Sequence, residues 1–328
     1  KMHVAPKIIS VIFLAACFSA ARFTEASPAD RTTYFRECTE SCTDICVKDN
    51  VMDRFPLELK IFQWDCKHDC QYACMWEQER RREVQQLKKG QKYAPVKYFG
   101  KWPFWRYFGM QEVASAVFSV GNAWPHFWFL LARKNKIAPK GWYMSPVILT
   151  AGWIYALGWM CSAVFHSRDT PVTEKMDYFS AVLMITYSIW GTLLRIMGPF
   201  HKQPGLFFFI GLILTSGYLL YVSYMSIILF DYGLTVKISI AMGLFNFILW
   251  AVHVARTRRR YQWKLMACLI WTHVALLLEL IDIPPYYLIF DSHAIWHAVT
   301  IPVGFLWYYY VIDDAAYEVK AQSAYKTV

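Results

Sequence analysis

The chain has 328 residues, of which 56 % are hydrophobic, 18 % aromatic and only 18 % charged, with a formal net charge of +10. Soluble domains run at about 45–50 % apolar and about 25 % charged, so this composition excludes an ordinary soluble enzyme. Its 15 Trp, 21 Tyr and 23 Phe exclude a disordered chain as well. What remains is a membrane protein.

At the start, Lys1 and His3 precede an apolar run over residues 8–18, followed by the small residues Ser19, Ala20 and Ala21. A short basic start, an apolar stretch of about 7–15 residues and a small-residue exit predict a secretory signal peptide. Cleavage after Ala21 or Ala26 fits equally. The run is short of the roughly 20 residues that a spanning helix needs.

A secretory route makes the nine cysteines legible. Cys17 lies in the signal, and Cys161 and Cys268 sit inside apolar stretches as ordinary small core residues. The other six form two triplets, Cys38, Cys42, Cys46 and Cys66, Cys70, Cys74, each spaced i, i+4, i+8. That spacing sets three sulfurs near one face of a helix. Two such helices packed antiparallel would form a ladder, Cys38–Cys74, Cys42–Cys70 and Cys46–Cys66, which geometry prefers among the connectivities open to six cysteines. A zinc site is the competing reading, but the usual CxxC spacing is absent and the compartment is oxidising. The expectation is a disulfide-rich helical domain over residues 22–103, stapled because it has little core of its own.

From residue 104 onward, apolar stretches recur. Seven spans of roughly 20 residues are predicted: 110–131, 144–165, 177–197, 205–229, 236–255, 263–282 and 293–312. The first is the most polar, with Glu112, Asn122 and His126. The fold expected is therefore an all-α membrane protein: seven transmembrane helices over 104–313, an N-terminal lumenal disulfide domain and a cytosolic tail over 314–328. Lys and Arg in short loops give the orientation. The loop after span one holds Arg133, Lys134, Lys136 and Lys140, and the loop after span five holds Arg256, Arg258, Arg259, Arg260 and Lys264. On the other side, the loop after span two has only Arg168 and Lys175, and residues 282–292 have none. The N-terminus is expected in the lumen and the C-terminus in the cytosol, with anionic lipid headgroups rather than nucleic acid as partners of the basic loops.

Ionisable residues in or near a span are costly and are functional candidates. Depth sorts the histidines. His3 and His68 precede the spans. His126, His201 and His253 are placed at or beyond cytosolic span ends, and His273 is read as a packing or hydrogen-bonded residue. His166, His293 and His297 remain, all at the lumenal level. His293 and His297 are an i, i+4 pair, able to present two imidazoles to one ion. Ser162 and His166 form a second such pair, and Asp177 opens span three at the same depth. Three neutral imidazoles leave a fourth zinc position for water, the open arrangement of a catalytic site. Taken singly, each member has a bland reading: a serine bonded to its own backbone or an aspartate favoured by a helix N-terminus. Asp169, Glu174 and Lys175 are read as loop ion pairs, and Arg195 and Asp282 as interfacial.

Ser162 and His166 with three residues between them, Asp177 eleven residues after that His, and the late His293–x–x–x–His297 resemble the CREST superfamily of seven-span membrane hydrolases. That group includes the alkaline ceramidases and the progestin and adiponectin receptors. The run FHSRDTPVTEKMDYF at 165–179, preceded by a cysteine-rich domain, more closely resembles the Per-one-like family of GPI-remodelling phospholipases. The resemblance covers nearly all of the chain after the signal. It implies an acyl hydrolase that removes the sn-2 fatty acid from the lipid of GPI-anchored proteins in the Golgi membrane. It further implies Zn2+ on His166, His293 and His297, with Asp177 orienting or deprotonating water and Ser162 hydrogen-bonding the developing oxyanion. The rival readings are a ceramide-type membrane amidase and a non-enzymatic seven-span receptor or chaperone for GPI-anchored proteins. Neither terminal retrieval signal nor Asn-x-Ser/Thr sequon is present to fix residence or topology further.

Overall fold

The computed structural model describes residues 27–326, so the run read as a signal peptide, both candidate cleavage sites and Cys17 lie outside the described residues. Among the described residues the chain is helix and loop, with no strand. Helix α1, Thr33–Lys48, begins where the Thr32 side chain accepts from the Phe35 N–H. Helix α2, Cys66–Lys88, begins where Asp65 accepts from the His68 N–H at 2.8 Å. Each cap satisfies a backbone donor that the first turn leaves free. The two helices run antiparallel and are joined by Cys38–Cys74, Cys42–Cys70 and Cys46–Cys66, the ladder expected from the spacing.

Seven long helices follow: α3, Val113–Ala132; α4, Ser145–Ser167; α5, Pro171–Met197; α6, Pro204–Ile227; α7, Tyr232–Thr257; α8, Trp263–Leu280; and α9, Ser292–Lys326. Helices α4 to α9 are long and apolar enough to cross a bilayer. Helix α3 has 20 residues, enough for about 30 Å, but falls short in composition because the face it turns to neighbouring helices carries polar residues, while Val117, Val120, Trp124 and Leu131 are exposed on the other. Ten of its residues are buried, among them Ser115, Ser119, Asn122 and His126. It packs between α4 and α9, while α5 packs against α4, α6 and α7, and α8 against α9. The chain is thus an all-α, multi-pass membrane protein.

Helices α3 and α9 approach unusually closely. A Cβ at Gly121 would stand 2.7 Å from the Ile301 side chain, and one at Gly304 would stand 3.0 Å from Pro125. That approach lets Asn122 donate to the His297 carbonyl at 2.7 Å, fixing the turn of α9 that carries the histidine pair.

One sequence reading changes, that of His126, and two gain detail. Helix α9 does not end near 312 but runs to Lys326, so the segment read as a tail from 314 continues the helix. Its polar turns are held by ion pairs rather than released into water. Arg195, read as interfacial, is buried and clamps Asp314 through Nε at 2.6 Å and Nη2 at 2.9 Å. Arg259 and Arg195 share Glu318, and Lys264 takes Asp313. His126 is not at a helix end: it lies within α3, buried, with Nδ1 3.0 Å from the Tyr308 hydroxyl. His273 matches its reading, with Nδ1 bonded to the Leu269 carbonyl.

The disulfide domain rests on the end of the bundle where α4 finishes and α5 begins. Trp64 donates to the Gly109 carbonyl at 2.8 Å, Arg106 pairs with Asp69 at 2.7 Å, and the Arg168 guanidinium lies over the Trp64 ring. Asp282 likewise joins the bundle to the connecting segment, accepting from Lys97 and Trp102.

Candidate metal centre

The chain turns sharply between α4 and α5, and that turn organises one side of the site. Thr170 caps α5 with a reciprocal Thr170–Thr173 box, and Pro171 occupies the first helical turn, where its missing N–H costs nothing. His166 therefore sits in the last turn of α4 and Asp177 in the second turn of α5. His293 and His297 come from the first two turns of α9. Sequence depth placed these residues at one level, and the fold brings three of them into contact.

The Nε2 atoms of His166, His293 and His297 form a near-equilateral triangle. His166 lies 3.2 Å from each of the others, which are 3.0 Å apart. His166 and His297 are buried, and the His293 side chain is 30 % exposed. Each ring is oriented through its other nitrogen. His166 Nδ1 meets Glu112 Oε2 at 2.7 Å, His293 Nδ1 meets Glu279 Oε2 at 2.5 Å, and His297 Nδ1 faces the Ser119 hydroxyl at 3.4 Å. A carboxylate accepts and cannot donate, so it draws the imidazole proton to Nδ1. The Nε2 lone pairs of His166 and His293 are then left facing the centre of the triangle, an arrangement that favours a cation there.

The three nitrogens could hold one metal ion. Tetrahedral zinc with imidazole ligands at about 2.0–2.1 Å requires nitrogens about 3.3–3.4 Å apart, a few tenths wider than the observed triangle. The carboxylate–histidine pairs are the usual supports of ligating imidazoles. The donor set therefore fits zinc in number, type, spacing and support.

Ser162 and Asp177 border the cluster. The Ser162 hydroxyl is buried, 3.2 Å from that of Ser119, which in turn donates to the Ser115 carbonyl. Asp177 is near enough to Ser162, His166 and His293 to interact with all three electrostatically.

Sequence reasoning missed the groups that hold the imidazoles. Glu112 appeared only as a polar residue that weakened span one, and Glu279, the acid within the run LLLEL, was not singled out. The same cost argument that selected the histidines would have found both carboxylates. Lys101 was missed for another reason: it lies outside every span. Its ammonium bridges Glu112 at 2.7 Å and Asp169 at 2.8 Å, and also lies over the Phe165 ring. Burial alone would lower its pKa, but Glu112 and Asp169 together hold it above the ordinary value. Asp169 thus pairs with Lys101 rather than with a loop neighbour.

Residues 56–315 match the profile of the Per1-like family. The chain is similar to proteins named GPI-specific phospholipase A2-like PGAP3. One from Bos taurus is 35 % identical over 312 residues, 93 % of this chain and 94 % of that protein. One from Homo sapiens is 34 % identical over 307 residues, 92 % of this chain and 93 % of that protein. A Drosophila melanogaster protein named Post-GPI attachment to proteins factor 3 is 33 % identical over 300 residues, 86 % of this chain and 87 % of that protein. No solved structure matches.

Proposed function

The chain belongs to the Per1-like family, and from that membership and its converging imidazoles we propose that it is a zinc-dependent hydrolase of the GPI lipid, removing the sn-2 fatty acid from GPI-anchored proteins. The names of its relatives support the lipid class and the ester. The observation that carries the chemistry is the triangle of Nε2 atoms 3.0–3.2 Å apart, each ring fixed through Nδ1.

His166, His293 and His297 would hold the ion. Zinc in such a site supplies a Lewis acid and lowers the pKa of its water to about 7. The remaining roles belong to side chains. Asp177 orients the attacking water and takes its proton as oxygen adds to the ester carbonyl. Ser162 donates to the oxygen on which charge develops. When the acyl C–O bond breaks, the proton on Asp177 passes to the departing sn-2 oxygen, leaving a free fatty acid and a lyso lipid. Ser119 and the two carboxylates act at one remove, holding the imidazoles.

The position of the site suits a substrate that stays in its leaflet. The residues cluster at the end of the bundle beneath the disulfide domain, at headgroup height, where the ester of a diacyl lipid lies. The charge bias supports a lumenal position for this end, on the side of GPI-anchored proteins, with the C-terminus in the cytosol, and the family resemblance supports residence in the Golgi membrane. The disulfide domain then stands beside the anchor glycan and the attached protein.

Purified protein offered a labelled GPI diester and labelled ceramide should release fatty acid from the GPI lipid alone. Asp177→Asn should keep its metal and lose about 10²–10⁴ in rate, and His297→Ala should lose both metal and activity. Cleavage of ceramide instead would make the chain an amidase. Full remodelling activity in Asp177→Asn would remove the hydrolytic mechanism.

A further inference from the structure

A polar cavity lies at the opposite end of the bundle from the histidines, where α5 ends, α7 ends and the late turns of α9 pass. Its volume is about 510 Å³. That is far more room than a single water or a bare phosphate ion needs. Arg195, Lys202, His253, Arg256, Arg259 and Glu318 contribute its polar lining.

The charges in this lining are not alike. Arg195 and Arg259 are matched by Asp314 and Glu318 at 2.6–3.4 Å, a quartet that is neutral as a whole. Lys202 and Arg256 are exposed on the rim and form no ion pair among the described residues. Two positive charges therefore stand uncompensated over a floor that is already neutral. His253 adds a separate sign of a missing partner. It is only 6 % exposed, and its Nε2 is buried without a hydrogen-bond partner. A buried polar nitrogen left unpaired costs free energy, and this one belongs to a residue that lines the cavity.

One wall is apolar. Met197 and Val252 line the same space, at the depth where the apolar part of the bundle gives way to charge. A cavity with a cationic rim, an apolar wall and an unpaired imidazole matches a phosphorylated lipid headgroup with its glycerol and first acyl carbons, as do other basic pockets between transmembrane helices. We propose that this cavity binds the phosphomonoester headgroup of an anionic lipid in the leaflet opposite the candidate metal centre. Lys202 and Arg256 take the phosphate charge, His253 takes a headgroup oxygen, and the clamped Arg195 and Arg259 shape the floor. The site lies at the other end of α5 from Asp177, so a bound headgroup would brace α5 and α9, the helices that carry Asp177 and two of the imidazoles.

The test uses the full chain in phosphatidylcholine nanodiscs, with and without phosphatidylinositol 4-phosphate, reading retained lipid by native mass spectrometry and affinity by titration. Wild type should retain the phosphorylated lipid. Removing a charge-assisted contact is worth about tenfold in affinity, so Lys202→Ala with Arg256→Ala should weaken binding about 100-fold and His253→Leu about tenfold. Thermal unfolding in phosphatidylcholine alone should match wild type for all three substitutions, separating lost binding from lost folding. Equal retention by wild type and the double variant overturns the proposal. Displacement of the lipid by inorganic phosphate free in solution would show a site for soluble phosphate and overturn the assignment to lipid.

Discussion

Glu112→Gln removes one negative charge from the candidate metal centre while leaving the shape of the side chain almost unchanged. The wild-type carboxylate is 8 % exposed and takes two charge-assisted bonds, from Lys101 and from His166 Nδ1, both at 2.7 Å. The amide oxygen can still accept from His166, but the amide NH2 cannot accept from Lys101, which keeps only Asp169 at 2.8 Å. His166 loses the negative charge that fixes its proton on Nδ1 and makes Nε2 a better donor to metal. Substitutions of this kind cost about 10–100-fold in metal affinity, or about 1.4–2.7 kcal/mol. Because glutamine keeps one hydrogen bond, the expected loss lies near the lower bound, about tenfold. Glu279→Gln should act alike on His293, and the double variant should lose about 100-fold, since the carboxylates hold different rings. Competition for zinc between the purified protein and a chelator of known affinity measures each loss. Asp282→Asn, whose carboxylate holds Lys97 and Trp102 instead, should match wild type. Zinc affinity within about twofold of wild type in both glutamine variants would refute the reasoning, because second-sphere carboxylates on real ligands do not go unnoticed.

Three further outcomes are expected. Arg195→Met strands the buried Asp314 carboxylate and should lower stability by about 3 kcal/mol, the lower part of the range for broken buried pairs because Arg259 also reaches Asp314. Thermal unfolding in detergent reads the loss, which Arg195→Met with Asp314→Leu should largely restore. Asp65 is drawn upward by burial, but the His68 N–H and imidazole pull its carboxyl further down, to below its ordinary value. Its stabilisation of α2 is therefore present above about pH 4 and lost as pH falls through the lowered value, so the stability gap between wild type and Asp65→Ala should close in acid. Removing the outermost bridge by Cys38→Ser and Cys74→Ser should cost about 2–3 kcal/mol. That is less than its 36-residue separation suggests, because Cys42–Cys70 already closes most of that loop; denaturant titration of oxidised protein measures it.

The elements legible in the sequence were those set by local periodicity. Cysteines at i, i+4, i+8 on two helices allow an antiparallel ladder, and it is present in the predicted register. His293 and His297 are on one face because their spacing leaves no alternative within a helix. Ser162, His166 and Asp177 were placed by depth, which follows from hydropathy alone. What was not legible depends on which helices touch. Nothing local to Glu112, Glu279 or Ser119 says that each faces a different imidazole, and nothing local to Arg195 says that Asp314, 119 positions later, meets it. Hydropathy reports exposure to lipid, so it made the first span look the weakest and ended the last one early. Helix α3 is polar because neighbouring helices satisfy Ser119, Asn122 and His126. Helix α9 continues past its apolar stretch because ion pairs replace lipid.

The disulfide domain and the imidazoles are one structure rather than two. Glu79 lies in α2 five residues after Cys74, is 1 % exposed, and accepts from the Tyr98 hydroxyl at 2.8 Å. Tyr98 forms a reciprocal backbone pair with Lys101, and the turn between them is held from the other side by Asp30 and Ser27. Lys101 then reaches Glu112, and Glu112 reaches His166. A ladder that stabilised a separate cap would leave the imidazoles untouched when its outer bridge is removed. Here that bridge anchors the turn of α2 preceding Glu79, so its loss loosens a chain of short polar contacts that ends on a ring of the metal triangle. The expected signature is a fall in zinc affinity in the bridge-deleted protein under conditions where it is still folded. Lys101→Met, which cuts the same chain without touching a cysteine, should reproduce that fall. Unchanged zinc affinity in both variants would show that the two regions are merely neighbours.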